Sequence, residues 1–409
     1  MNKKIQFQLS FMMFLEFFIW GGWFVTLGSF LGNNLGATGA EAGMAYSTQS
    51  WGAIIAPFII GLIADRFFNA EKILGVLHLI GAFLMYKMSQ STEFATFYPC
   101  VLGYMIAYMP TLALVNSVSF NQMDDSAKQF PLVRVFGTIG WILAGLLISF
   151  AFKWDSIANI GQGMLSNTFT MVAVASAVLG VFSFTLPKTP PSAAKGEKGT
   201  IRDILGLDAL KLLKDRNFLV FFLSSVLICI PLAFYYQNIS PFLTEYKVEN
   251  STAWASLGQI SEVGFMLLLP FFFKKYGFKK TILFGMLAWG IRYALFAYGN
   301  TGDLFFMLVI GIALHGICYD FFFVSGQIYT DSKAGEKVKS AAQGLITLAT
   351  YGIGMLVGFW VAGKIVDKNI LADGTHSWQD VWLFPALFAL GVLVLFALFF
   401  KEETVEYKA

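Results

Sequence analysis

Ionisable side chains are rare within the long apolar runs of this sequence, and their types suit polar recognition and proton transfer. Glu16, Arg134, Glu262, Arg292 and Asp320 all lie inside such runs. If the runs cross a membrane, a charge at mid-membrane costs at least ~2.5–3.5 kcal/mol, so one that is retained usually faces a cavity or a partner. These residues are therefore the starting point for any functional site.

One candidate face lies near the start of an apolar run. Arg134, Thr138 and Trp141 recur at i, i+4 and i+7, so a helix places them on one face. A cation, a hydroxyl and an indole together suit a polar aromatic ligand. The alternative is that Arg134 is a helix-end arginine whose charged group reaches toward the cytoplasm.

A second candidate pair is an amide and a carboxyl group. Gln259 and Glu262 are three residues apart and face the same way on a helix. An amide both donates and accepts hydrogen bonds, which fits recognition of a base or of ribose hydroxyls. The alternative is an interhelical hydrogen-bonded pair that serves packing alone.

The third candidate is an aromatic segment with a histidine and an aspartate. His315 and Tyr319 lie one turn apart, and Asp320 follows within the aromatic run. Burial favours the protonated form of a carboxyl group, as a proton-coupling residue requires. The alternatives are a structural pair of Asp320 with Arg134 or Arg292, and a packing role for His315.

Two further positions are open to two interpretations each. Gln237 follows a pair of tyrosines and is either a ligand contact or part of an aromatic belt at the membrane surface. Glu16 lies about a third of the way through the first apolar run, near two tryptophans. It either joins a proton path or is solvated from the cytoplasmic side. Arg292 has no polar companion at helical spacing, so we interpret it as structural.

The composition indicates a polytopic membrane protein. Of 409 residues, 57% are hydrophobic and only 13% are charged, whereas a soluble domain carries about 25% charged residues. A bilayer core needs about 20 apolar residues per helix. The sequence therefore predicts an all-α membrane protein with twelve transmembrane helices, at 8–31, 42–64, 72–89, 95–120, 133–152, 167–186, 218–243, 252–273, 280–298, 303–329, 340–365 and 381–400.

A polar segment divides these predicted spans into two halves. Residues 187–216 are rich in proline, glycine and lysine, which indicates a linker with a short helix at the membrane surface. The predicted halves are six-helix bundles at 1–186 and 217–409. Most lysines and arginines fall in the linker and alternate loops, so both termini and the linker are expected in the cytoplasm.

Other classes of function lack support in the sequence. No nucleotide-binding or hydrolase motif stands in a suitable context, so we expect no enzyme activity and no cofactor. The three cysteines have no metal-ligand spacing, and we predict no metal site. The net charge of +3 is too small, and the basic residues too scattered, to indicate a nucleic-acid partner.

The loop after the second predicted span resembles the loop signature of the major facilitator superfamily. It has the pattern G-x-x-x-D-R at Gly61, Asp65 and Arg66. In that superfamily the aspartate caps a neighbouring helix and helps hold the outward-facing state. The alternative is an ordinary charged turn.

The whole chain resembles the nucleoside:proton symporter family of that superfamily. The resemblance includes Phe18–Trp23, Ala107–Leu112, Arg134–Gly140, Leu205–Ala209, Gln259–Glu262, Arg292–Gly299, Asp320–Phe322, Ser340–Gly344 and Trp378–Trp382. It implies a major facilitator fold, a monomer, and proton-coupled uptake of nucleosides across the bacterial cytoplasmic (inner) membrane by alternating access. The partners expected from it are a nucleoside, protons and the lipid bilayer.

The resemblance also implies roles for individual residues. Substrate-binding positions match Arg134, Thr138, Trp141, Gln259, Glu262, Tyr319 and Asp320, with Gln237 and His315 as further candidates. Asp320 and Glu262 are expected to carry the coupled proton.

The chain departs from the family pattern at several positions. His315 replaces a tyrosine, Glu16 replaces a glutamine, and Ala233 and Tyr236 replace a glutamine and an asparagine. A proton-coupled symporter of a sugar or another nucleoside-like polar solute is therefore the alternative function.

Overall fold

The described part of the protein is built from helices. A computed structural model describes residues 2–59, 68–124, 126–191 and 207–403. Within these ranges nine helices are long and apolar enough to cross a membrane. They are Ala70–Ser89, Phe94–Phe120, Lys128–Ala151, Ser166–Ser183, Arg216–Glu245, Ser251–Tyr298, Phe305–Ala334, Ala341–Lys368 and Trp378–Phe399.

The chain folds as two compact units. The first comprises Met1–Ala37, Thr48–Ile204 and Glu249–Ala253, and the second comprises Thr38–Ser47, Leu205–Val248 and Trp254–Ala409. The elements up to residue 191 are helices α1 Lys3–Gly21, α2 Leu27–Leu35, α3 Gly39–Ile59, α4 Ala70–Ser89, α5 Phe94–Phe120, α6 Ser126–Leu146, α7 Ile157–Gly161 and α8 Ser166–Ser183, with a π-helical turn at Leu147–Ala151.

The later elements continue the same all-helical design. A 3₁₀ helix at Leu207–Lys214 comes first, and π-helical turns lie at Asp320–Val324 and Leu348–Gly354. The α-helices are α9 Arg216–Glu245, α10 Ser251–Tyr298, α11 Phe305–Ala313, α12 His315–Tyr319, α13 Ser325–Thr347, α14 Met355–Lys368 and α15 Trp378–Phe399.

The observed helices differ from the predicted spans at three places. The first predicted span is two helices, because the chain turns at residues 22–26 between α1 and α2. Gly277 has φ 77° and ψ 174°, a conformation that favours glycine. It breaks the continuous element Ser251–Tyr298 between two predicted spans. The second predicted span ends beyond the described residues, since residues 60–67 are not described.

Within the first unit, helix α1 packs against α6 and α8, and α4 packs against α5 and α8. Small residues allow the closest approach. A Cβ atom on Gly140 would lie 2.2 Å from the Phe14 carbonyl oxygen, and one on Gly21 would lie 2.8 Å from Trp141 Cγ. In the second unit, α9 packs against α14 and α15. These crossings fix the helices that carry the candidate residues.

Two carboxylates bind the first backbone N–H groups of helices. Asp155 accepts from Thr252 N at 2.9 Å within the first unit. Asp367 accepts from Gly39 N at 2.6 Å and Ala40 N at 2.8 Å within the second unit. The first turn of a helix leaves N–H groups without intrahelical acceptors. A carboxylate accepts hydrogen bonds from these groups and interacts favourably with the positive end of the helix dipole. The helix starts at Gly39 and Ser251 are therefore anchored where these carboxylates lie.

The predicted surface helix of the linker falls partly outside the described residues. Residues 192–206 are not described. The part that is described, Leu207–Lys214, is a 3₁₀ helix. It leads to Asp215, whose carboxylate accepts from Phe218 N at 2.8 Å and so caps the start of α9.

Candidate functional site

Close helix contact assembles the polar residues of the second unit. A Cβ atom on Gly316 would lie 2.6 Å from the backbone of Ser261, and one on Gly258 would lie 3.2 Å from His315 Cβ. Gly316 N also donates to Ser261 Oγ at 3.1 Å. Because both positions lack a side chain, α10 and α12 touch at the backbone. This contact brings Glu262 beside His315.

A buried arginine, a histidine and a glutamate follow one another in this region. Nη1 of Arg292 lies 3.0 Å from His315 Nδ1, and His315 Nε2 lies 4.0 Å from Glu262 Oε2. Arginine can only donate, so His315 Nδ1 accepts and its ring proton is on Nε2, on the side of Glu262. His315 is therefore a neutral imidazole held between a cation and a carboxyl group.

Arg292 has a larger part in this cluster than its sequence spacing indicated. It is fully buried, and its guanidinium lies 3.5 Å from the centroid of the Tyr235 ring. Among the described residues, its Nε and Nη2 atoms have no hydrogen-bond acceptor. A buried cation with two unused donors is costly unless it stacks on an aromatic face or meets a polar solute.

Asp320 is the first residue of a π-helical turn, Asp320–Val324. Such turns are rare and often mark functional sites. The side chain is fully buried, and neither carboxyl oxygen has a hydrogen-bond partner among the described residues. Glu262 lies within electrostatic range. The alternative that Asp320 pairs with Arg292 is thus not realised.

The remaining candidates of the second unit surround this cluster. The Tyr319 and Tyr351 hydroxyl groups lie 2.7 Å apart, and the Tyr319 ring is 5.7 Å from His315. Gln237 is buried on α9, where its Nε2 donates to Gly39 O at 3.4 Å. Its Oε1 atom has no partner among the described residues. Gln259 is half-buried on α10, three residues before Glu262.

The first unit carries the other predicted face. Arg134, Thr138 and Trp141 are half-buried on α6. The Arg134 guanidinium lies 4.0 Å from the centroid of the Phe17 ring, a cation–π contact. The Trp141 ring is 5.7 Å from that of Trp20. Tryptophan and a stacked guanidinium form a surface suited to a planar ring.

A buried cluster around Glu16 is the feature that sequence reasoning left open. Glu16 is fully buried, and its Oε2 atom lies 2.8 Å from His78 Nε2. Thr111 Oγ1 donates to Glu16 Oε1 at 2.6 Å, and Tyr108 donates to the Glu16 carbonyl at 2.7 Å. Glu16 is therefore not solvated from the cytoplasm. His78 also stands out as an ionisable residue in an apolar run, but it carried no predicted role, because its partner Glu16 lies 62 residues away.

The predicted loop signature is not part of the described structure. Gly61, Asp65 and Arg66 fall in residues 60–67, outside the described ranges. Over the ranges that are described, no group of three or more His, Cys, Asp or Glu residues could hold a metal ion. What the two units offer is a set of hydrogen-bonding groups, aromatic faces and buried acids.

Comparisons with known proteins place the chain among nucleoside transporters. A family profile described as "Nucleoside H+ symporter" matches residues 3–405. In Escherichia coli (strain K12), the chain is 45% identical to YegT over 409 residues, which cover 98% of this chain and 95% of YegT. It is 34% identical to the xanthosine permease of that organism over 425 residues, 99% of each chain. The crystal structure of the nucleoside transporter NupG matches with a TM-score of 0.87 at 31% identity, covering 98% of this chain and 100% of that one.

Proposed function

The chain belongs to the nucleoside H⁺ symporter family, and from this premise we propose that it takes up nucleosides together with protons. The observation that carries the proposal is the cluster of three buried residues, Arg292, His315 and Asp320, with the half-buried Glu262. It combines unused hydrogen-bonding atoms with a carboxyl group that has no partner among the described residues. A polar solute and a proton are the two species that would satisfy it.

The proposed architecture is a major facilitator fold with twelve transmembrane helices. The two six-helix bundles would comprise residues 1–186 and 217–409, joined by the linker 187–216. The likeness to NupG over nearly the full length supports this proposal. We further propose a monomer in the bacterial inner membrane with both termini in the cytoplasm, without enzyme activity.

The proposed substrate-binding residues are those that the sequence indicates. On α6 they are Arg134, Thr138 and Trp141, and on the later helices they are Gln237, Gln259, Glu262, His315 and Tyr319. The amide and the acid suit ribose hydroxyls or base edges. The indole and phenol rings suit the flat faces of a base.

Asp320 is the proposed proton carrier, with Glu262 as its electrostatic neighbour. A buried carboxyl group without donors is stable when protonated and unstable when ionised. Loading of the proton from outside would permit solute binding, and its release inside would weaken the site. This cycle requires a carboxyl group whose proton affinity depends on which side of the membrane is open.

The test is uptake of radiolabelled uridine and adenosine by proteoliposomes, with and without an inward proton gradient. Gradient-dependent accumulation of either nucleoside is the expected result. Equal uptake with and without the proton gradient would contradict coupling of nucleoside transport to protons. No uptake of either by folded protein would contradict the nucleoside assignment. Competition by sugars would favour the sugar symporter alternative, so unlabelled sucrose and ribose are included.

A further inference from the structure

The first unit contains a buried acid–base pair that the proposed mechanism does not use. Glu16 on α1 and His78 on α4 are 0% and 2% exposed. Their Oε2 and Nε2 atoms are 2.8 Å apart. His78 lies in a helix long and apolar enough to cross a membrane, and Glu16 lies in the first predicted span. Ionisable groups in such segments are rare and usually functional.

The hydrogen bonds around His78 determine where its protons lie. Ser176 Oγ donates its single proton to the His78 carbonyl oxygen at 2.9 Å. The contact of 3.2 Å between His78 Nδ1 and Ser176 Oγ therefore requires a proton on Nδ1. His78 Nε2 is then protonated only if the ring is cationic.

It follows that one further proton lies between Glu16 and His78. If neither Oε2 nor Nε2 carried a proton, two acceptor lone pairs would face each other at 2.8 Å. With the proton, the pair is either carboxylate and imidazolium or carboxylic acid and imidazole, and it is neutral overall. Release of that proton would leave a net negative charge and would drive the two side chains apart.

Thr111 can respond to this change of charge. Its Oγ1 atom lies 2.6 Å from Glu16 Oε1 and 2.5 Å from Tyr108 O. A hydroxyl group has one proton and so donates to only one of them at a time. It can donate to the glutamate when that is ionised and turn to the carbonyl when the acid is neutral.

The other titratable groups near Glu16 are two tyrosines and an arginine. Tyr104 and Tyr108 on α5 lie within electrostatic range of the Glu16 carboxylate, and Arg134 on α6 lies within range of Tyr108. Arg134 is stacked on Phe17, the residue after Glu16.

Aromatic contacts connect this pair to the proposed solute site. The Trp20 ring lies 5.7 Å from Tyr108 and 5.7 Å from Trp141, all within the first unit. Tyr108 in turn donates to the Glu16 carbonyl. A displacement of Glu16 is therefore expected to shift Trp20 and, through it, Trp141, which is one of the proposed nucleoside contacts.

We propose that Glu16 and His78 form a second proton-binding site of the transport cycle, distinct from Asp320. A proton from the outer aqueous phase binds between Glu16 Oε2 and His78 Nε2, and the same proton leaves to the cytoplasm when the pair separates. This inference rests on the proposed function and adds one proton per nucleoside to it.

The experiment measures the proton-to-nucleoside ratio of the full-length protein in proteoliposomes. The membrane potential at which uridine flux reverses, at fixed uridine and pH gradients, gives that ratio. Wild-type protein is expected to carry two protons. One proton per uridine in the wild type would overturn the second site while leaving the proposed function intact. Absence of uridine flux would instead overturn the proposed function.

The decisive variant is Glu16→Gln, whose amide keeps a hydrogen bond to His78 but has no exchangeable acidic proton. It is expected to carry one proton fewer, so accumulation at 100 mV falls about 50-fold, equivalent to ~2.3 kcal/mol. His78→Gln is expected to have the same effect, because the pair carries a single shared proton. The double variant should lose no more than either single variant.

The matched control is Glu71→Gln. Glu71 is also buried in the first unit, but it accepts from Thr189 N at 2.9 Å and Asn69 Nδ2 at 2.9 Å, and among the described residues no acid–base partner is bonded to its carboxylate. Its variant should keep the wild-type ratio. A wild-type ratio in Glu16→Gln or in His78→Gln would overturn the proposal, even if the other variant did not fold.

Discussion

Each unit buries one histidine beside a glutamate, and the two clusters differ in how completely their hydrogen bonds are made. His78 is bonded through both ring nitrogens, to Glu16 and Ser176. His315 is bonded to Arg292 but is 4.0 Å from Glu262, with unpartnered atoms on Arg292 and Asp320 among the described residues. Both ring nitrogens of His78 and both carboxyl oxygens of Glu16 have partners, whereas the second cluster has unused donors and acceptors among the described residues.

This difference indicates different tasks. A pair whose hydrogen bonds are all made needs no ligand to satisfy it, and its net charge changes only when a proton enters or leaves. A network with unused groups gains most when a solute supplies the missing partners, since a buried polar group without a partner costs about 1–3 kcal/mol. From this comparison we propose that the second cluster contributes more to solute binding, and that the Glu16–His78 pair binds a proton.

The largest expected effect comes from Asp320→Asn. The amide cannot carry the coupled proton, so gradient-driven accumulation of nucleoside should fall at least ~100-fold, which is equivalent to ~2.7 kcal/mol. Exchange of labelled for unlabelled nucleoside should continue, because binding itself remains. Uptake driven by a proton gradient and counterflow without one are measured in the same vesicles. Intact uphill uptake would refute the assignment of Asp320.

Replacing the two histidines by alanine is expected to lower the stability of the protein by different amounts. His78→Ala leaves Glu16 buried without its main partner, and breaking a buried pair costs about 3–5 kcal/mol. His315→Ala leaves Arg292 stacked on Tyr235 and should cost only about 1–3 kcal/mol. Unfolding of the purified protein in detergent is followed by denaturant titration. The double variant Glu16→Leu with His78→Leu should be more stable than His78→Ala, because no buried charge remains unpaired. Equal losses from the two alanine variants would contradict the comparison.

Gly316→Ala tests whether close helix contact holds the second cluster together. The added Cβ would meet the Ser261 backbone at 2.6 Å, which forces α12 away from α10 and His315 away from Glu262. A displacement of about 1 Å can cost ~100-fold, so the initial rate of uptake should fall about 10- to 100-fold. Gly264→Ala on α10 is the control, since a Cβ there would meet nothing within 4 Å. Equal rates in the two variants would show that this contact does not position the cluster.

Sequence patterns predicted most spans because apolar length is a local property. They also located Asp320, Glu262 and His315, since polar residues stand out in an apolar run. The pairing of Glu16 with His78 spans 62 residues between different helices, and no periodicity connects them. Arg292 was interpreted as structural for the same reason, as its partner His315 lies 23 residues away.

Backbone detail was equally inaccessible from the sequence. The break at Gly277 depends on a glycine that an apolar run tolerates without visible change in pattern, and no pattern marks the turn after α1. The π-helical turn at Asp320 has no sequence signature of its own. The family resemblance located candidate positions, while the hydrogen bonds that distinguish the two clusters come from packing between helices.

The smallest expected effect tests a satisfied contact inside the second cluster. Tyr351→Phe removes the 2.7 Å bond to the Tyr319 hydroxyl, and a neutral hydrogen bond contributes about 0.5–1.5 kcal/mol. The KM for nucleoside should therefore rise about 2- to 10-fold, whereas the dependence of accumulation on the proton gradient should not change. Tyr298→Phe, at an exposed tyrosine, is the control and should behave as wild type. Loss of gradient dependence in Tyr351→Phe would mean that the hydrogen bond between Tyr319 and Tyr351 also takes part in proton transfer. The proposed difference in task between the two clusters would then be wrong.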